Sequence, residues 1–443
     1  MTDDRLAMTA CDLGRDIGAG RIDPRDLTEA FLSAADAHPD ASRIYARMTA
    51  DRARAEAGAA ADRAKAGLRR GLLDGVPISW KDLYDTAGVA AEAGSAMLAG
   101  RVPTKDAEVL TRATRAGMVC LGKTHMTELA FSGLGVNPVT ATAPNCHNAD
   151  WAPGGSSSGA AASVAAGLAA AGIGSDTGGS VRIPSAWNDL VGLKTTAGWL
   201  PADGSVPLSA LFDTVGPLCR SVEDAAEITA VLASVKAPDL ADASLVGRRF
   251  AVDRATMLKD ARDAPVAAFE SALSRLSAAG AVIEEVDFPE FADCLPLSFP
   301  LVVGEAWAEW GEMIETKGDL MFPPVRERFA PGKNVTAAEY LRARSALERL
   351  RRATVARMAG YDAVLAPTAP ILPPSVSRLL SDEAYYTTEN LLALRNTRIG
   401  NLLGMAALTL PTGTPACGVM IMGAPGTDWA LCRLGKAAEA ALG

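Results

Sequence analysis

Gly154-Gly155-Ser156-Ser157-Ser158-Gly159, then an alanine-rich run, then Gly174-Ser175-Asp176-Thr177-Gly178-Gly179-Ser180: the reading of this stretch decides the chain. A glycine-serine hexamer taken alone has the composition of a flexible linker. Here it follows Trp151-Ala152-Pro153, precedes an apolar run and is answered by a second glycine-serine turn, so it reads as one of two loops held in register. The run between them, Ser158 to Ala171, carries small residues on every face, which predicts a helix buried on all sides.

A serine hydroxyl is a weak nucleophile until a neighbouring base takes its proton. Only three histidines are present, His38, His125 and His147, which leaves few places for a serine-histidine-acid triad. Lysine can act instead when it is neutral, and burial makes it so by disfavouring the ammonium. Lys81 follows Val76, Ile78 and Trp80 within Gly75-Val76-Pro77-Ile78-Ser79-Trp80-Lys81-Asp82, an apolar approach that predicts burial. A hydroxyl such as that of Ser156 can pass the proton, because it both accepts and donates. The glycine turn from Asp176 to Ser180 offers consecutive peptide N–H groups that can converge where negative charge develops, the requirement for an oxyanion hole. Glycine suits such a turn because a side chain would block the approach or forbid the dihedrals.

These segments resemble the amidase signature family of serine hydrolases. The match runs from Leu73-Asp74-Gly75-Val76-Pro77 through Gly122-Lys123-Thr124, the Gly154-Gly155-Ser156-Ser157 turn and Gly174 to Pro184, ending at Val191-Gly192-Leu193-Lys194; echoes follow at Ala366-Pro367-Thr368 and Asn401-Leu402-Leu403-Gly404. The resemblance implies an α/β fold, a large twisted mixed β-sheet flanked by α-helices on both faces. It implies one amidase domain over 1–443: a helical lead-in at 1–70, a signature core at 70–220, and the rest of the sheet with the pocket helices and loops at 221–443. By matched position, Ser180 would be the nucleophile, Ser156 the bridging serine behind a cis Gly155-Ser156 bond, and Lys81 the base. Thr177, Gly178, Gly179 and Ser180 match the oxyanion-hole positions, and Ser157, Asp176 and Arg182 match positions that support the site by hydrogen bonding. Ala130, Phe131 and Ser132 match a segment bordering the acyl pocket. The implied reaction is acyl transfer to Ser180 followed by hydrolysis of a small-molecule amide, with esters and carbamates (urethanes) open as substrates and no cofactor or metal. Lys123-Thr124-His125-Met126-Thr127-Glu128-Leu129 departs from the Lys-Thr-Asn-Met-Asp-Glu-Phe pattern of the family's transamidosome member, which favours a free-standing enzyme acting on aryl or alkyl compounds.

Composition bounds the alternatives. The 443 residues carry a formal charge of −9 and no lysine-arginine stripe, which argues against a nucleic-acid partner and for a small or neutral substrate. Seven scattered cysteines, never spaced as Cys-x-x-Cys, read as reduced thiols of a cytosolic protein. The start, Met1-Thr2-Asp3-Asp4-Arg5, lacks the basic end and apolar core of a secretory signal. The most apolar stretch, Ala160 to Gly174, is too short for a membrane span. A soluble cytoplasmic protein is expected, with assembly as a homodimer left open.

Along the chain, Asp23-Pro24 reads as a helix start. Asp106 to Ala116 reads as a helix, Met118 to Leu121 as a buried strand, Leu245 to Val252 and Val282 to Val286 as strands around a helix at Ala264 to Ala279, and 300–360 as mainly helical. Ala363 to Ala366 reads as a strand before a proline-rich surface excursion at 367–374; Met405 to Leu410 and Gly418 to Met422 read as strands before a closing helix from Asp428. Trp307, Trp310 and the stretch from Tyr385-Tyr386 to Arg398 are pocket candidates by position, with ordinary packing the favoured reading. Gly117-Met118-Val119-Cys120-Leu121-Gly122-Lys123-Thr124 satisfies the phosphate-loop pattern, which makes an ATP- or GTP-binding protein a competing class. Its apolar residues read as the strand itself, whose N–H groups belong to the sheet. Cys120, or Cys146 beside His147, is the alternative nucleophile. A binding protein that keeps the fold without catalysis is the last alternative.

Overall fold

The computed structural model describes residues 3–443; Met1 and Thr2, where the acidic start begins, lie outside the described residues. Eleven strands form one mixed sheet: β1 (Tyr45–Met48), β2 (Pro77–Lys81), β3 (Val119–Thr124), β4 (Ala171–Ser175), β5 (Val191–Lys194), β6 (Val215–Cys219), β7 (Arg249–Val252), β8 (Val282–Glu285), β9 (Ala363–Pro367), β10 (Ala406–Pro411) and β11 (Gly418–Gly423). Their order is β1-β3-β2-β4-β6-β5-β10-β11-β9-β7-β8. Parallel pairing joins β3, β2 and β4 at one side and β9, β7 and β8 at the other, with antiparallel strands between. Strands β2, β3, β4, β5 and β6 are buried along their whole length, as strands covered by helices should be.

The pairing positions the chemistry. Strands β2 and β4 run parallel with Trp80 opposite Ile173, so both end at the same edge of the sheet. Lys81 is the last residue of β2 and Ser175 the last of β4, which puts their side chains within reach of each other at the carboxyl ends of the strands, the usual place for a site in such sheets.

Four expectations are corrected. The lead-in is not wholly helical: Tyr45–Met48 is an edge strand antiparallel to β3. The helix after the first serine loop spans Ser158–Ala165, not Ser158 to Ala171, because Gly167 takes φ +71° and turns the chain so that Ala171 can open β4. Strand β7 begins at Arg249 rather than Leu245, after a turn at Gly247. The proline-rich segment after β9 is no surface excursion: Ile371 is fully buried, its carbonyl accepts from the Trp187 indole, and Pro374 receives the Ala152 N–H. None of the helices among the described residues is long and apolar enough to cross a membrane.

Candidate active site

Lys81 is fully buried, and its amine donates to the hydroxyls of Ser156 at 2.7 Å and Ser175 at 2.8 Å. Among the described residues no carboxylate touches it. Burial lowers its pKa to about 7, against the opposing pull of the more distant Asp176 and Asp213. Lys123, on the neighbouring strand, shows the contrast: it is equally buried but faces Asp82 at 3.3 Å, an ion pair rather than a hydroxyl relay.

Ser156 follows a cis peptide bond from Gly155. The loop around it is clamped by the segment at 133–134, with Gly155 N–H donating to the Gly133 carbonyl at 2.8 Å and Gly154 N–H to Leu134 at 3.1 Å. Ser157 ties the two loops together. Its N–H donates to the Ser180 carbonyl at 3.2 Å, and its hydroxyl donates to the Ser175 carbonyl at 3.2 Å.

Asp176 organises the second turn. Its carboxylate accepts from the N–H of Gly179 at 2.8 Å and of Val181 at 3.1 Å, and from the Arg182 guanidinium at 2.9 and 3.0 Å. Asn401 donates to it at 2.8 Å and accepts from Arg182 in turn. Burial alone would raise its pKa, but the charge and hydrogen bonds of Arg182, with Lys194 and Asn401, hold it well below the usual carboxylate range. Gly179 has no room for a side chain: a Cβ there would lie 2.2 Å from the Thr397 hydroxyl oxygen, at φ +141°.

One expectation for the oxyanion hole changes here. The Gly179 N–H is engaged by Asp176, which fixes the turn rather than facing substrate. The N–H groups of Thr177, Gly178 and Ser180 have no partner among the described residues, leaving three donors on the turn.

Ser180 lines a cavity of about 250 Å³ together with Thr177, Gly178, Ala130, Phe131 and Ser132. Its hydroxyl opens to that cavity; no hydrogen bond joins it to Ser156 among the described residues, although the backbone link through Ser157 holds the two loops side by side. Thus Lys81 and Ser156 meet, and Ser180 stands next to them with its hydroxyl turned to the cavity. The remaining walls come from Leu295, Pro296, Phe299, Val302, Val303 and Arg328, which pattern reading did not single out, and from Leu391, Leu394 and Arg398, which lie in the stretch from Tyr385-Tyr386 to Arg398 named as a pocket candidate by position. Trp307 and Trp310 do not line it; the Trp310 indole donates to the Pro207 carbonyl at 2.9 Å. Tyr386 is buried behind the wall, its hydroxyl donating to Ser132 at 2.8 Å. Ser175, Thr397 and Asn401 are given no role by the reading. Each lies in a segment already singled out: Ser175 in Gly174-Ser175-Asp176, Thr397 in the stretch ending at Arg398, and Asn401 in the Asn401-Leu402-Leu403-Gly404 echo.

The competing sites fare differently. Gly122-Lys123-Thr124 are themselves strand β3, paired with β1 and β2, so they form no phosphate-cradling loop. Burial pushes the thiols of Cys120 and Cys146 up to about 11, neither lines the cavity, and His147 faces Asp189 at 3.1 Å.

A family model described as Amidase matches residues 26–432. A 2-amino-5-chloromuconic acid deaminase of Comamonas testosteroni is 35% identical, the alignment covering 98% of this chain and 97% of that protein. One component of a glutamyl-tRNA(Gln) amidotransferase, from Anaeromyxobacter sp. (strain K), is 33% identical over 99% of this chain and 98% of that one. A solved structure described as the crystal structure of an amidase superposes with a TM-score of 0.89 at 31% identity, covering 98% of this chain and all of that one.

Proposed function

The chain belongs to the amidase family of hydrolases acting on carbon–nitrogen bonds, and from that premise we propose that it hydrolyses small-molecule amides by acyl transfer through Ser180, Ser156 and Lys81. The observation that carries the reading is Lys81: fully buried, brought to a pKa of about 7, and bonded at 2.7 Å to the hydroxyl that borders the nucleophile's loop. A neutral amine accepts the Ser156 proton while Ser156 accepts that of Ser180. The relay requires the Ser180 hydroxyl to meet that of Ser156, and catalytic hydrogen bonds of this kind commonly form or tighten only when substrate is bound. The carbonyl carbon is attacked, and its oxygen becomes an oxyanion, for which the unpartnered N–H groups of Thr177, Gly178 and Ser180 are the available donors. Each such donor contributes on the order of 100- to 1000-fold in rate. The relay then returns a proton to the leaving amine, and water repeats the sequence to free the acid.

Esters and carbamates follow the same steps with a different leaving group or a carbamoyl intermediate, so we include them in the proposed range. We take residues 1–443 as one catalytic domain, since a single sheet collects strands from Tyr45 to Gly423. Seven free cysteines, six of them buried, suit a reducing cytoplasm, where we place the protein. The test is a panel of anilides, p-nitrophenyl esters and aryl carbamates assayed against the wild type and Ser180→Ala. Turnover lost in the variant supports the reading; turnover retained ends it.

A further inference from the structure

The cavity at Ser180 holds two cations and no anion. Arg328 and Arg398 both line it, none of the other lining residues is acidic, and neither arginine forms an ion pair among the described residues. The Arg328 guanidinium lies 4.2 Å over the Phe131 ring and donates to the Phe131 carbonyl. The Arg398 side chain makes no hydrogen bond among the described residues, yet its nitrogens are not sealed from solvent; they open on the cavity it lines.

Two guanidinium groups that share a confined apolar space without a counter-ion are costly. The loss of hydration comes first and the repulsion of Arg398 second, and together they lower the Arg328 pKa to about 10; burial brings Arg398 to about 10 as well. Among the described residues the other buried cations are answered within the protein: Arg182 by Asp176, Lys123 by Asp82 and Arg63 by Asp74, Lys81 by two hydroxyls, and Lys194 and Arg220 by backbone carbonyls. Arg328 has one backbone carbonyl and Arg398 no hydrogen-bond partner among the described residues, which leaves both guanidinium groups free to take a ligand's charge. A planar, multi-donor guanidinium is suited to a carboxylate, which it can hold by two parallel bonds.

We propose that the substrate carries a carboxylate on the same small molecule as its scissile carbonyl, held between Arg328 and Arg398 while the carbonyl lies on the glycine turn. This rests on the amide-hydrolase reading given above and narrows it to acidic amides. It also replaces the expectation of a neutral substrate drawn from the formal charge of −9: that charge belongs to the whole molecule, whereas the cavity is locally positive.

Binding and turnover separate this proposal from the reading it rests on. Monoamides of four- to six-carbon dicarboxylic acids are compared with matched alkanamides in which an isopropyl group replaces the carboxylate. Calorimetry on Ser180→Ala should give at least about 100-fold tighter binding of the best monoamide. Adding Arg398→Met or Arg328→Met should cut that preference at least about tenfold, and Arg398→Lys should restore part of it, since a lysine supplies the charge without the fork. Equal binding of acids and isosteres, or a preference that survives both methionine variants, overturns the proposal. Selective binding in a protein whose wild type neither releases ammonia nor labels at Ser180 with a fluorophosphonate supports the carboxylate site and overturns the hydrolase reading instead.

Discussion

Arg182 and Arg398 lie on two sides of one glycine turn and live under opposite rules. On the buried side, Arg182 is sealed from solvent and bonded to Asp176, Asn401 and the sulfur of Met420, so its charge is answered within the protein. On the cavity side, Arg398 has an open wall, a second arginine for a neighbour and no carboxylate. A buried charge that the fold satisfies serves the architecture of the turn. One that it leaves unsatisfied marks where a ligand completes the electrostatics.

The two sides part first on chemistry. Ser180→Ala should lower kcat by at least about 10⁴-fold with the fold retained, because the turn is held by Asp176 and not by the serine hydroxyl; amide turnover and a circular dichroism melt check both halves. Lys81→Met should cost about 10³-fold or more, and Lys81→Arg should fail to rescue it, because a guanidinium stays charged where the relay requires a neutral amine.

Stability separates them next. Arg182→Met leaves the Asp176 carboxylate buried without its counter-charge and should lower unfolding free energy by about 3–5 kcal/mol. Arg398→Met removes one of two like charges from the cavity and should leave the melting temperature unchanged or raise it. Urea denaturation of the pair reads the difference, and equal losses would erase the distinction drawn above. The smallest effect is expected at Gly178, where an added Cβ meets nothing nearer than a Leu394 methyl at 3.7 Å. Gly178→Ala should change stability by no more than about 1 kcal/mol, while Gly179→Ala, facing Thr397 at 2.2 Å, should unsettle the turn and lower activity with it.

The same two sides differ in how far they could be read from the chain. Lys81, Ser156, Asp176, Ser180 and Arg182 sit in short contiguous motifs whose glycines, hydroxyls and one apolar-flanked lysine state their own chemistry, and the structure gathers them at the ends of β2 and β4. Arg328 is written differently. It follows Arg326 and Glu327 on the short helix Pro323–Phe329, and nothing local separates it from Arg326, which faces solvent beside Asp319. What sets it apart is a missing carboxylate, a fact of tertiary structure. Arg398 closes a stretch that position alone makes a pocket candidate, but its charge role is no easier to read: it is one polar residue in a helix, Arg395–Leu402, whose neighbours Thr397 and Asn401 turn toward the glycine turn instead. The misread elements have equally local causes. An alanine-glycine run has no periodicity to show where its helix stops, so the end at Ala165 emerges only with Gly167 turning the chain. Tyr45–Met48 is four residues long, carries Arg47 at the sheet edge and becomes a strand only because β3 is there to pair with it.

The claim on which the mechanism stands is that Lys81 works as a neutral amine. Its pKa of about 7 against an unfolded value near 10.5 places the working form above neutrality. The direct measurement is kcat/KM on an unactivated amide from pH 5 to 9, with chemistry shown to be rate-limiting. The account predicts a tenfold rise per pH unit below about 7 and a plateau above it. A rate flat across that range, or one that falls as pH rises, contradicts it.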